Sequence, residues 1–192
     1  MKQLGYNPTK SKIANLFLPD FMADSILEID FKLLQAIGIK HVLIDVDQTV
    51  RIRYARDLAA GTMEVFQSAI KNKYIESVSL VTNNQGNMTR YSQPLKARVF
   101  QPFIKGGRYY RKPSREFFEK VLSELNIKPQ HTVMIGDKIR PDVFGPNRVG
   151  IYSLLVKPIG SDYWFDQLLF TRFRDKRTLA SAIKAYSKSV KK

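Results

Sequence analysis

At 192 residues the chain is long enough for one sizeable domain, and 44% hydrophobic residues with a mean hydropathy of -0.27 are the values of a globular protein in water. The absence of cysteine excludes disulfides, thiolate metal sites and cysteine nucleophiles, and two histidines leave little room for a histidine-rich metal site. No apolar stretch approaches the roughly 18 residues of a membrane span, and the start has no continuous apolar run of the secretory kind, so the expected location is the cytoplasm.

Charge is the outlier. Lys and Arg number 32 against 17 Asp and Glu, a net +15, with a sequence pI of about 10.0. Such a balance implies an anionic partner (nucleic acid, an anionic membrane surface or phosphorylated substrates), or else a plain Lys-rich solvated surface. The excess concentrates in residues 90–128 and 172–192.

Taken in order, residues 1–19 read as an irregular leader broken by Pro8 and Pro19. Asp20 is placed to cap a first helix carrying Phe21, Ile26, Leu27 and Ile29, with Asp24 as a second start, and an apolar pattern continues to Gly38. Short apolar runs then fall at 41–46, 77–82, 98–101, 132–135 and 151–156. Helical stretches lie between them near 61–73, 88–96, 114–126 and 141–149. Several runs are continuously apolar, as in strands covered on both faces. The alternation predicts an α/β fold with a doubly wound, mainly parallel sheet. A terminal amphipathic helix over 178–190 would carry a Lys-rich outer face into a basic tail ending at 192. Nothing resembles a linker, so residues 1–192 read as a single domain.

Ligands of open α/β sheets bind at the carboxyl ends of the strands. There the first run delivers Asp45 and Asp47, and the second Thr82 and Asn83. Lys112 follows the third run, in Lys112-Pro113-Ser114, where the proline would open the next helix. The fourth delivers Asp137 and, shortly after, Asp142. Residues i and i+2 of an extended chain face the same way, so Asp45 and Asp47 would crowd and repel. A divalent cation such as Mg2+, which prefers oxygen ligands, would neutralise them together with Asp137. One carboxylate then stays ionised as a nucleophile while the other handles a proton. A lysine and a hydroxyl suit the oxygens of a transferring phosphoryl group.

DVDQT at 45–49, VTNN at 81–84, KPS at 112–114 and GDKIRPD at 136–142 resemble, in this order, the four motifs of the haloacid dehalogenase (HAD) superfamily. NLFLPDF, GIKHVLIDVDQT and GDKIRPDVFGPNRVGIYSLLVKPI further resemble the YqeG-type subclass IIIA phosphatases, a group related to mitochondrial phosphatidylglycerophosphate phosphatases. The resemblance covers roughly residues 15–180. It implies an HAD-like fold and a phosphatase in which Asp45 attacks phosphorus and Asp47 is the general acid and base. Asp45, Asp137 and the backbone carbonyl of Asp47 would hold Mg2+, with Asp142 in an outer shell, while Thr82, Asn83 and Lys112 bind the phosphate. Gln48 and Pro141 depart from the family's usual Asn and Thr, and Lys138 and Arg140 bring positive charge into the metal loop.

The family selects substrates with caps inserted after the first or second motif. The gaps from Thr49 to Thr82 and from Thr82 to Lys112 are too short for a folded cap, so an open site is expected. That suits a surface-presented substrate, and with the basic charge the reading is phosphatidylglycerophosphate, an anionic phospholipid, hydrolysed by an enzyme resting peripherally on the membrane. Residues 160–174, with Tyr163, Trp164, Phe165, Leu168, Leu169, Phe170, Arg172 and Arg174, have the composition of an interfacial element or of a stretch packed on the core. The alternatives are a soluble or macromolecular phosphomonoester, or a basic RNA- or ribosome-binding module with a vestigial site, stacking bases on Phe103, Tyr109 and Tyr110. No recognised nucleic-acid motif supports the last. Oligomeric state is not legible.

Overall fold

The computed structural model describes residues 1–3, 16–160 and 171–190. In chain order the elements are β1 (Lys2–Gln3), β2 (Phe21–Ala23), α1 (Phe31–Ala36), β3 (His41–Ile44), α2 (Thr62–Lys71), β4 (Ser77–Val81), α3 (Thr89–Ser92) and β5 (Arg98–Phe100). They continue as β6 (Phe103–Lys105), β7 (Arg108–Tyr110), α4 (Arg115–Leu125), β8 (Thr132–Gly136), α5 (Gly145–Asn147), β9 (Tyr152–Val156) and α6 (Thr171–Val190). A π-helical turn, Arg140–Phe144, leads into α5.

The strands form a seven-stranded sheet in the order β1-β2-β9-β8-β3-β4-β5, parallel except for β1, and a separate β6-β7 hairpin. The continuous apolar runs follow from burial on both faces. Val42 and Ile44 join Phe66, Leu80, Val133 and Ile135 on one side, while Leu43 joins Val81, Phe117, Val121 and Met134 on the other. Each such side chain contributes about 1.5–3 kcal/mol on burial, which is why the central strand β3 carries no polar residue on either face between His41 and Asp45. The chain moves outward from β3 through β4 to β5, then returns across to β8 on the other side of β3. The β3–β8 boundary is therefore a switch point, with a crevice beyond its carboxyl ends.

Four expectations change. Phe21–Ala23 is a strand, not the start of a helix, and pairs in parallel with β9. Asp20 is buried, and its carboxylate accepts from the Ser153 amide at 2.9 Å and hydroxyl at 3.3 Å; Asp24 instead pairs with Lys157 at 2.9 Å. The first α-helix begins at Phe31, where the Asp30 carboxylate accepts from the Leu33 amide at 2.9 Å as its cap. Second, the leader is not irregular throughout, because β1 pairs antiparallel with β2 and Phe17 stacks on Phe144 at 4.4 Å; residues 4–15 lie outside the described residues. Third, Pro113 does not open α4 as its first helical residue: it precedes the cap, Ser114, whose hydroxyl accepts from the Phe117 amide at 3.3 Å. Fourth, the terminal helix starts at Thr171, ahead of 178.

Among the described residues no helix is long and apolar enough to cross a membrane. The interfacial candidates from Tyr163 to Phe170 lie outside the described residues. Between Thr49 and Thr82 the chain forms α2 and β4, and between Thr82 and Lys112 it forms α3, β5 and the β6-β7 hairpin. No folded cap fills either gap.

Candidate active site

Asp45 sits one residue past β3, and its amide still donates to the Ile135 carbonyl at 2.9 Å, which carries the ladder to the crevice edge. The chain then turns tightly. The amides of Val50 and Arg51 donate to the Val46 carbonyl at 3.1 and 3.2 Å, and Gln48 takes a left-handed conformation at φ 67°. Gln48 is nearly fully buried, and its side-chain oxygen and carbonyl accept from the amides of Gly160 and Ile159. The departure from the family's asparagine thus lies in a staple between the acid loop and the chain after β9, away from the cleft.

From β8, Gly136 ends the strand, and Asp137 follows with one oxygen accepting from the Thr49 hydroxyl at 3.4 Å. A Cβ on Gly136 would lie 2.4 Å from the Asp142 carboxyl carbon, so only glycine lets Asp142 swing back from the π-helical turn. Asp142 then accepts from the Lys138 amide at 3.1 Å. The loop is also tied to the C-terminal helix, where the Asp175 carboxylate accepts from the Ile139 amide at 3.2 Å.

Lys112 closes the site from the opposite side. Its ammonium donates to Asp45 and to Asp142, each at 2.7 Å, with the lysine side chain 1% exposed. The Asn83 side chain holds that lysine by its backbone: its nitrogen donates to the Lys112 carbonyl and its oxygen accepts from the Lys112 amide, both at 3.0 Å. Both ends of the Asn83 amide are therefore engaged in aligning the lysine. The Thr82 hydroxyl accepts from the Asn84 amide at 3.0 Å and remains on the cleft wall.

Asp47 belongs to a different cluster. One of its oxygens accepts from Arg51 through Nε at 2.8 Å and through a terminal nitrogen at 2.6 Å, and the other accepts from the Asn84 side chain at 2.9 Å. Arg51 is 6% exposed, stacks over the Tyr91 ring at 4.4 Å, and also donates to the Tyr91 hydroxyl and the Ala55 carbonyl. Arg51, Asn84 and Tyr91 were not among the sequence candidates. The available signal was the four-residue spacing of Asp47 and Arg51, legible only once the tight turn is known.

Asp45, Asp47, Thr82, Asn83, Lys112 and Asp142 line one cleft of about 410 Å³ whose rim adds Arg53, Tyr54, Lys138 and Pro141. Beneath it, Asp45, Asp137 and Asp142 each offer a carboxylate oxygen within 4.8 Å of the others. Three carboxylates lie close together here in a nearly dry place, two of them sharing one ammonium. Burial alone would lower the Lys112 ammonium, but the Asp142 and Asp45 carboxylates outweigh it and raise its pKa, so it stays charged. Burial pushes Asp142 up to about 7 against the pull of Lys112, with Asp45 and Asp137 adding to the rise. An all-oxygen, carboxylate-rich donor set of this kind fits a hard divalent cation.

A parallel sheet with clustered acids at its central switch point, a lysine bridging two of them and a strand-end threonine beside them is an arrangement suited to phosphoryl transfer, and the chain is a phosphatase similar in sequence and fold to HAD-like hydrolases. Residues 109–158 match the HAD-hydrolase-like family model. The chain is 29% identical over 174 residues to the probable phosphatase YqeG of Bacillus subtilis (strain 168), an alignment covering 90% of this chain and 94% of that one. A shorter match, 44% over 46 residues, covers 24% of this chain and 17% of the phospholysine phosphohistidine inorganic pyrophosphate phosphatase of Danio rerio. In fold, the chain is similar to a haloacid dehalogenase-like hydrolase from Brucella suis 1330 (TM-score 0.50, 12% identity, 72% of this chain and 94% of that one).

Proposed function

We propose that this phosphatase hydrolyses phosphomonoesters through an aspartyl-phosphate on Asp45, and that its substrate is phosphatidylglycerophosphate presented at a membrane surface. The carrying observation is the ammonium of Lys112 set between Asp45 and Asp142 at 2.7 Å from each. A buried cation touching the nucleophile's own oxygen stands where an incoming phosphoryl oxygen would gain most from it.

The Asp45 carboxylate oxygen attacks phosphorus in line, and the bond from phosphorus to the leaving alcohol breaks. Asp47 gives that alcohol its proton. It then takes a proton from a water whose oxygen attacks phosphorus, and phosphate leaves with the Asp45 carboxylate restored. Lys112 and the Thr82 hydroxyl hold the phosphoryl oxygens, and Asn83 keeps the lysine in place through its backbone. The carboxylates of Asp45 and Asp137 and the backbone carbonyl of Asp47 would hold Mg2+, with Asp142 behind them. When bound, the ion would supply the positive charge that lets these acids lie together and draws charge from the phosphoryl group.

The lipid assignment rests on three supports: the net charge of +15, the absence of a folded cap in either gap, and a cleft rim bearing Arg53 and Lys138. A panel of phosphomonoesters that includes phosphatidylglycerophosphate, run with the Asp45→Asn variant as control, tests it. Release of phosphate from the lipid well above that from soluble esters is expected. Efficient turnover of a soluble ester with none of the lipid would replace the substrate and leave the chemistry standing.

A further inference from the structure

The hairpin β6-β7 is the element that neither the sheet nor the catalytic chemistry requires. It has two unlike faces because strand side chains alternate. The cross-strand pair Phe103 and Tyr110 stack on each other at 5.2 Å, and Phe103 lies 6.3 Å from the Phe117 ring of α4, so this face is fixed inward. The next cross-strand pair, Ile104 and Tyr109, points the other way and is 73% and 50% exposed. Lys105 and Arg108 fall by alternation on the Phe103–Tyr110 side but are exposed and pair beside the turn, which Gly106 and Gly107 make in left-handed conformations at φ 57° and 74°, while Arg111 follows Tyr109 on its own face. Nothing lies within 4 Å of where a Cβ of either glycine would stand, so the tip is open. From Phe103 to Arg111 there are three basic residues and no acidic one.

We infer that the β6-β7 hairpin is the surface on which the enzyme docks to an anionic lipid bilayer, with Ile104 and Tyr109 entering the headgroup boundary and Lys105, Arg108 and Arg111 meeting the lipid phosphates. The charge is complementary, and an aliphatic–aromatic pair beside cations is the composition of an interfacial anchor. A nucleic acid would use the tyrosine and the cations but has no call for an exposed isoleucine beside them. The hairpin is also wired to the cleft. Tyr109 accepts from the Gln85 side chain at 3.0 Å, Gln101 donates to the carbonyls of Asn84 and Gly86 at 2.8 and 2.7 Å, and β7 runs within two residues into Lys112. Docking is independent of the chemistry proposed for Asp45, while its purpose rests on the lipid-phosphatase reading.

The chain has no cysteine, so a single probe can be placed cleanly. Ile104→Cys and, at the far end of the sheet, Lys71→Cys would each carry an environment-sensitive fluorophore and be mixed with phosphatidylcholine vesicles with or without phosphatidylglycerol. The probe at 104 should shift to the emission of an apolar surrounding with the anionic vesicles only, and the probe at 71 should not. In the unlabelled protein, Ile104→Asp should cut partitioning onto anionic vesicles about tenfold or more and leave hydrolysis of a soluble phosphomonoester unchanged. Asp45→Asn should bind vesicles like the unaltered protein, which separates failure of docking from failure of the catalytic reading. Equal shifts at both probes, wild-type partitioning by Ile104→Asp, a shift at 104 with single-stranded RNA but not vesicles, or a shift that follows protein concentration alone would overturn the proposal.

Discussion

Asp45 and Asp47 lie two residues apart and line the same cleft, yet the molecule gives them opposite surroundings. Asp45 faces a lysine that is 1% exposed and shares it with Asp142, in a cluster that also holds the Asp137 carboxylate. Asp47 faces an arginine of its own, held in place by Tyr91 and Ala55, and a neutral amide from Asn84. The sequence pattern suggests two acids in repulsion relieved by a metal. Each also has a separate protein cation beside it, and the carboxylates that could share a divalent ion are Asp45, Asp137 and Asp142. The teaching is that a shared cleft does not mean shared partners: the tight loop at 46–51 brings Arg51 back onto Asp47, which stands outside the acid group of Asp45, Asp137 and Asp142.

Breaking each half of this comparison should have graded effects. Asp45→Asn replaces the carboxylate proposed to attack with an amide and should lower kcat for a soluble phosphomonoester by at least about 10⁴-fold with an unchanged melting temperature; near-normal turnover would remove the nucleophile role. Asp47→Asn should cost about 10²–10⁴-fold, with the larger loss for substrates whose leaving alcohol is less acidic. Arg51→Gln leaves Asp47 in place but frees its carboxylate, so a loss of about 10-fold in kcat is expected, with KM little changed. Arg51→Lys should rescue it incompletely, because an ammonium cannot reproduce the paired nitrogens. Equal kcat in all three Arg51 proteins would reduce that residue to a packing element.

The smallest effect concerns stability. The Asp142 pKa is raised to about 7 in the fold, above its value of 3.8 in an unfolded chain, chiefly by burial. A group raised in this way favours the fold while protonated, below its unfolded pKa, and that contribution is lost as pH rises through about 7. In EDTA the melting temperature should therefore fall between about pH 4 and pH 7, and Mg2+ should raise it more at pH 8 than at pH 4.5. Equal increments at the two pH values would contradict a cation held by this acid cluster.

The parallel sheet was legible because strands buried on both faces leave continuous apolar runs, as at Val42-Leu43-Ile44. The acids and Thr82 were legible because each follows such a run; Lys112 follows the largely exposed β6-β7 hairpin and was legible only from its place just ahead of the helical stretch that became α4. Phe21–Ala23 was not, since three residues are too few to show alternation, and Phe21, Ile26 and Ile29 mimic a helical repeat. The hairpin did leave a signal: Gly106-Gly107 between β-forming residues is a two-residue turn. The Arg51–Asp47–Asn84 cluster could not be read, because it depends on a left-handed Gln48 and on a contact between chain segments far apart in sequence.

The central claim is that the phosphoryl group passes through Asp45. It is tested most directly by quenching the enzyme during turnover of a phosphomonoester in Mg2+, reducing with borohydride, and locating the modified residue by peptide mass spectrometry. Reduction of an aspartyl-phosphate converts the side chain to an alcohol, and the account predicts that change at position 45 in the wild-type chain and nowhere in Asp45→Asn. An alcohol at another aspartate, or none at any residue under conditions where intermediate accumulation is shown by a burst of product alcohol, would contradict it.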